Sequence, residues 1–247
     1  MTLAGLAGPD IAWLAAAALV AGTVRGFSGF GTAMVYLPVA GQVLPPFVAI
    51  ATLLMMDLLG PLPNLRRGWG EMHRPDLLRL CAGLLALLPV GIWVLSRADP
   101  DLFRYAVSLV SLLLLAALLS GLRYRGALVP PLVYATGGVS GFLMGVSGLP
   151  GPPVVLFYMA SPLPAAAIRA TVLVYLFLTD LAMLPMLALF GQLSGGALLA
   201  GLALAAPNLL GNVLGARLFR PERERVYRVV AYGVIALSAV AGLPVWD

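Results

Sequence analysis

Residues 26–38 read GFSGFGTAMVYLP, and residues 145–157 read GVSGLPGPPVVLF. Both stretches interrupt an apolar run with glycine and serine, and the second adds Pro150, Pro152 and Pro153. Glycine reaches backbone angles closed to other residues, while proline, having no N–H, ends one helix or starts the next. Each place therefore reads as a helix, a break and a short helix. Residues 11–24, ahead of the first break, make roughly 21 Å of helix, too little to cross a bilayer comfortably. A second short run ends at Pro45-Pro46. Residues 127–144 lead into the second break, and a short apolar run follows it before Ser161-Pro162-Leu163-Pro164.

Such breaks matter because the surrounding chain belongs in lipid. Of its 247 residues 61% are apolar and 10% charged, and the mean hydropathy is +1.00. A soluble domain needs about a quarter of its residues charged, so the class is a polytopic helical membrane protein. Residues 77–96, 102–120, 196–216 and 226–245 each form a run of about 20 residues, enough for ~30 Å of hydrocarbon. Residues 47–64 and 165–190 supply two more spans, the second long enough to tilt or to bend at Pro185. With one cysteine, Cys81, and one histidine, His73, there is no disulfide framework, and no metal, cofactor or catalytic centre is expected. The first ten residues carry no Lys or Arg; without the basic start of a signal peptide, the first apolar stretch is expected to stay in the mature protein.

The net charge of +5 would suggest nucleic acid in a soluble chain. In this one the basic residues, all arginine, mark loops, so no nucleic-acid partner is expected. Arg66, Arg67, Arg74 and Arg79 flank one loop, Arg123 and Arg125 another, and Arg217, Arg220, Arg223, Arg225 and Arg228 a third. Intervening connections hold fewer: Arg97 and Arg104 are offset by Asp99 and Asp101. By the positive-inside rule the three Arg-rich loops are cytoplasmic, provided each broken pair enters and leaves on one side. Both termini are then outside a bacterial inner membrane, with Trp13, Trp93 and Trp246 at the outer interface and Trp69 at the inner one.

Gly26-x-Ser28-Gly29 recurs 119 residues later as Gly145-x-Ser147-Gly148, and at the same shift Ala51-Thr52 matches Ala170-Thr171. Each copy is a broken pair followed by three spans, an odd number of crossings, so the second is inverted relative to the first. The predicted fold is all-α: two inverted-topology repeats, residues 1–125 and 126–247, in one integral membrane domain. Gly137, Gly141 and Gly145, like Gly211 and Gly215, show the spacing that lets membrane helices approach closely. Asn208 and Asn212 share a helix face as packing glue.

Backbone that leaves the helix at membrane depth must be buried in protein or line a wet cavity. A short helix starting at Gly29 or Gly148 turns free N–H groups and a positive dipole end into that space, an arrangement suited to an anion. The expected anion ligands are Arg25, Gly26, Ser28, Gly29 and Gly31 at the first break, and Ser147, Gly148 and Gly151 at the second. Arg25 stands apart from the predicted loops and is costly inside a membrane unless paired; its bland alternative is a permanent pair with Asp57. In the second half Met144 stands in its place. Asp57 and Asp180 are the acidic residues within apolar spans, Asp57 about 16 Å along its helix from Pro46. Either could carry a coupling ion, or merely neutralise an arginine.

The two halves, each opening with a Gly-rich break that runs into a Pro-containing helix, resemble the TauE/SafE sulfite exporter family, also described as the anion permease family related to toluenesulfonate uptake. The likeness extends over nearly the whole chain. It implies a secondary transporter, exporter or permease, that moves small sulfur-containing anions such as sulfite, sulfonates or sulfoacetate by alternating access, coupled to a proton or sodium gradient. The two breaks would then line the substrate site. A homodimer in the bilayer is compatible with this plan.

Two other readings compete. A passive anion channel could use the same Gly-Ser cradle. Gly-x-Ser-Gly also resembles the serine motif of rhomboid intramembrane proteases, but a nucleophilic serine needs a base. The single histidine falls in a polar loop, so no enzyme is expected.

Overall fold

The computed structural model describes residues 8–120, 129–158, 163–219, 222 and 224–246. Arg123, Arg125, Arg220, Arg223 and the Ser161-Pro162 turn lie outside the described residues. The helices are α1 (Gly8–Ser28), α2 (Thr32–Ala40), α3 (Pro46–Asp57), α4 (Leu62–Glu71), α5 (Arg74–Ser96), α6 (Pro100–Leu119), α7 (Pro130–Ser147), α8 (Gly151–Phe157), α9 (Ala165–Leu189), α10 (Gly195–Leu218) and α11 (Glu224–Ala241), followed by a 3₁₀ turn, Pro244–Trp246. Prolines open several of them, at or just inside the first position of α3, α5 and α7, where the missing N–H costs nothing. Pro185 stays inside α9.

Among the described residues five helices, α1, α5, α6, α9 and α10, are long and apolar enough to cross a membrane; the expected span over residues 226–245 is not one of them, since α11 stops at Ala241 and its first turns carry Glu224, Arg225 and Arg228. Trp13, Trp69 and Trp93 are each about half exposed, as an interfacial belt requires.

Two further expectations are corrected. The first helix does not stop before Arg25: α1 has 21 residues and carries Arg25 in its last turn, because nothing before Gly29 forbids helical angles. The expected span over residues 47–64 is not one helix. It stops at Asp57, and after the Leu58-Leu59-Gly60-Pro61 turn the chain restarts as α4. Gly60 tolerates the turn, and the pyrrolidine ring of Pro61 clashes with a carbonyl one turn back. The helix α4 sets Leu62 and Leu65 beside Arg66, Arg67 and Trp69, with Arg67 Nε 2.8 Å from Glu71 Oε1 one turn on.

The chain forms two compact units: Met1–Leu59, Asp99–Leu115 and Gln192–Asp247 make the first, and Gly60–Ala98 with Ala116–Gly191 make the second. The units cut across the sequence halves, since each takes helices from both. In the first unit the principal packing is α1 on α10; in the second it is α5 on α7.

Both seams are built from glycine. A methyl group at Gly22 would collide with the Asn208 carbonyl, at Gly26 with that of Asn212, at Gly211 with that of Leu19 and at Gly215 with that of Thr23. In the second unit Gly137 and Gly141 leave no room against Leu80 and Leu84, and Gly83 and Gly91 none against Tyr134 and Phe142. Lipid supplies no hydrophobic drive for two apolar helices to associate, so close backbone packing supplies it instead. Asn208, buried in the first seam, adds a bond from Nδ2 to the Ala18 carbonyl at 3.4 Å.

The end of α11 is fastened within the first unit. Arg104, 8% exposed, donates from Nε to Gly242 O at 3.2 Å and from Nη2 to Leu243 O at 3.4 Å. Gln42 Nε2 donates to Ala241 O at 3.2 Å.

Gly141→Ala and Gly211→Ala should each destabilise the purified protein by about 1–3 kcal/mol through overpacking. Gly195→Ala, with nothing within 4 Å of the added carbon, should leave the thermal midpoint nearly unchanged. Fluorescence-monitored melting in detergent would show the contrast.

Candidate functional site

The two breaks have the same local chemistry. At the first, α1 ends at Ser28, Gly29 turns left-handed at φ 81° and its N–H bonds Arg25 O at 2.7 Å. At the second, α7 ends at Ser147, Gly148 sits at φ 70° and its N–H bonds Met144 O at 2.9 Å. Both are αL helix caps, in which glycine avoids the steric penalty of a Cβ. The preceding serine also acts alike: Ser28 Oγ donates to Val24 O at 2.6 Å and Ser147 Oγ to Leu143 O at 2.8 Å. Every partner in this pair of motifs is displaced by the same 119 residues seen in the sequence. Ser28 Oγ also lies 2.8 Å from Phe30 O, so both serine hydroxyls are engaged with the backbone of their own break.

The short helices resume at Thr32 and Gly151, slightly beyond Gly29 and Gly148. Gly31, at φ 101°, precedes α2. Open space surrounds Gly29 and Gly151, where an added Cβ would meet nothing within 4 Å, whereas Gly26 faces the backbone of α10.

Arg25 ties the first break together. Its Nη1 lies 2.6 Å from Asp57 Oδ1 and 3.4 Å from Thr32 Oγ1, so one guanidinium joins the end of α1, the start of α2 and the end of α3. Helix dipoles explain the arrangement. A cation is favoured at the negative C-terminal end of α1, while the Asp57 carboxylate at the C-terminal end of α3 faces the wrong pole and needs a cation. The side chains keep 23% and 20% exposure, so the pair remains within reach of a small solute.

A second motif joins each short helix to the next. Tyr36 on α2 is fully buried, with its hydroxyl 2.9 Å from Thr52 Oγ1 on α3. Tyr158, just past α8, is also fully buried and pairs with Thr171 on α9. The two threonines, matched in the sequence repeat, each bond back to a carbonyl of their own helix, Thr52 to Ala49 O and Thr171 to Ala167 O.

Arg25, Gly26, Ser28, Gly29, Gly31 and Asp57 fall in the first unit, and Ser147, Gly148, Gly151 and Asp180 in the second. Within the first unit the structure brings Arg25 to Asp57 and Thr32. Asp180 lies half-buried on α9. Sequence reasoning missed Asp76, Tyr36 and Tyr158. Asp76, just ahead of the apolar run 77–96, is 7% exposed and holds Arg79 Nη1 at 2.8 Å; the signal was Arg74-Pro75-Asp76, a proline and an acid at a helix start.

These features define an α-helical membrane protein organised around two interrupted helix pairs, with an ion pair clasping the first. The chain belongs to the sulfite exporter TauE/SafE family, which it matches over residues 14–242. The family's members are transporters, not enzymes. Over 236 residues, 88% of each chain, it is 29% identical to the probable sulfite/organosulfonate exporter TauE of Cupriavidus necator. No solved structure matches it.

A double-mutant cycle tests the clasp. Arg25→Gln and Asp57→Asn should each destabilise more than half as much as the double variant. The coupling should be about 1–3 kcal/mol, below that of a fully buried pair because both groups are partly exposed.

Proposed function

We propose that this protein is a secondary transporter of small sulfur-containing anions, sulfite, sulfonates or sulfoacetate, working by alternating access and coupled to a proton or sodium gradient. The observation that carries the reading is the Arg25 and Asp57 pair at the first break, in a chain whose family exports sulfite and whose relative is named for sulfite and organosulfonate export. Arg25 is the anion ligand and Asp57 its resident competitor. A sulfonate or sulfite oxygen replaces the carboxylate on the guanidinium, with fork geometry suited to either. The open surroundings of Gly29 and Gly151 leave backbone accessible at both breaks, and Ser28, Gly31, Ser147 and Gly148 shape them.

Halves 1–125 and 126–247 form two inverted repeats in this reading. Support comes from the matched caps at Gly29 and Gly148 and from the Tyr36–Thr52 and Tyr158–Thr171 links, whose threonines share the 119-residue shift. The Arg-rich loops face the cytoplasm and both termini lie outside the inner membrane, following arginine distribution. Asp180 is a second coupling candidate.

Competition for Arg25 fixes the sign of the pH effect. A protonated Asp57 releases Arg25, so anion binding tightens as pH falls. Methanesulfonate, whose charge is constant over this range, should stabilise the wild type selectively over a carboxylate and chloride. The expected gain is about 2.7 kcal/mol at 100 times its dissociation constant, and Arg25→Ala should abolish it while leaving monodisperse protein. Asp57→Asn should still bind, with a weaker pH dependence. Unchanged affinity in Arg25→Ala would sink the site. In proteoliposomes, uphill flux that collapses with the ion gradient distinguishes a carrier from a channel.

A further inference from the structure

The second unit contains a charge cluster that the anion site does not use. Asp76, in the first turn of α5, is buried, and its Oδ1 takes Arg79 Nη1 at 2.8 Å. Its Oδ2 lies 3.0 Å from His73 Nδ1 and accepts the Tyr158 hydroxyl at 3.4 Å. The His73 backbone N–H donates to Thr171 Oγ1 at 2.9 Å. Although His73 Nδ1 is close enough to Asp76 for an ion pair, its angle is not that of a hydrogen bond, and the atom is buried without a bonded partner. The imidazole as a whole is 35% exposed, so its other edge can exchange protons with water.

The groups facing this site can be named helix by helix. From α5 come Asp76 and Arg79, from the end of α8 Tyr158, and from α9 the Thr171 hydroxyl. The adjoining core is apolar, with Leu65 of α4, Met72 and Val133 of α7, plus Tyr175 and Cys81. With neutral His73, Asp76 and Arg79 cancel. A proton on His73 makes the cluster net positive and sets an imidazolium 3.0 Å from Oδ2, the oxygen that Tyr158 also uses.

We propose that His73, held against Asp76, binds and releases a coupling proton, and that Tyr158 carries its charge state to the second broken pair. Imidazolium charge at Oδ2 draws electron density from the oxygen that Tyr158 also uses, so the long 3.4 Å bond from Tyr158 weakens and its hold on α5 relaxes. Tyr158 directly follows α8, the short helix entered from the second break, so the cluster reaches the end of the second broken pair. This proposal rests on the transporter reading above.

A purely structural Asp76, stabilising the start of α5 through its dipole, would leave His73 indifferent to substrate. Because His73 is the only histidine, histidine-labelled protein gives one set of imidazole resonances. Its titration is followed by NMR without and with saturating methanesulfonate. The anion should change the proton affinity of His73 at least threefold, and Tyr158→Phe should bind methanesulfonate yet lose this change. In flux assays His73→Gln should shift the pH profile away from that of wild type. An identical titration with and without bound anion overturns the proposal, as does a flux pH profile in folded His73→Gln that superimposes on that of wild type. If His73→Gln does not fold, the wild-type titration decides. Failure of every sulfur anion to bind wild type would overturn the transporter reading and this inference with it; binding with an unresponsive His73 overturns only the inference.

Discussion

A helix interrupted inside an apolar protein strands backbone polar groups where lipid offers no partner, and that constraint organises this structure. Each break meets it locally: a left-handed glycine returns its N–H to the last turn, and a serine hydroxyl covers a carbonyl there. With these needs met by the same few residues, the short helices can begin without long loops. Arg25 adds a third tie at the first break only, since Met144 stands at the matching place. Charge therefore enters an otherwise repeated architecture on one side, and Asp57 follows because the arginine needs a counterion.

Packing imposes a second requirement. Helices surrounded by lipid associate through close contact, and the seams of α1 with α10 and of α5 with α7 bring backbones together at glycine after glycine. Gly26 belongs to this framework as well as to the Gly-Ser motif. Its neighbour Arg25 is thereby set at a closely packed helix end, with its guanidinium 3.4 Å from Thr32 and 2.6 Å from Asp57.

Much of the fold was legible in the sequence because membrane residence simplifies the code: apolar runs of about 20 residues announce spans, and clustered glycine announces breaks. Ser28 and Ser147 were recognised from a repeated phrase, and the structure gives them the same bonds. The break after Asp57 was hidden because Leu58 and Leu59 keep the run apolar up to Gly60-Pro61, so hydropathy saw one span where backbone chemistry makes two helices. The burial of Asp76 was hidden for the opposite reason. It stands at the edge of the polar stretch before the apolar run, while the hydroxyl that reaches it, Tyr158, lies far along the chain. Arg25's partner was named among alternatives, but spacing alone could not choose it.

The interleaving of early and late helices also has a consequence for how the chain is made. The seam of the first unit needs α10, which begins at Gly195, whereas α1 ends at Ser28. At about 5–20 residues per second α1 waits on the order of 10–30 s for its partner. The helices α5 and α7 follow one another closely, so their seam can close within seconds of synthesis. During the interval α1 stands in the bilayer with its glycine groove and Arg25 uncovered. Insertion machinery or a neighbouring lipid must shelter that surface, and the newborn protein is most vulnerable to quality-control proteolysis before α10 emerges from the ribosome.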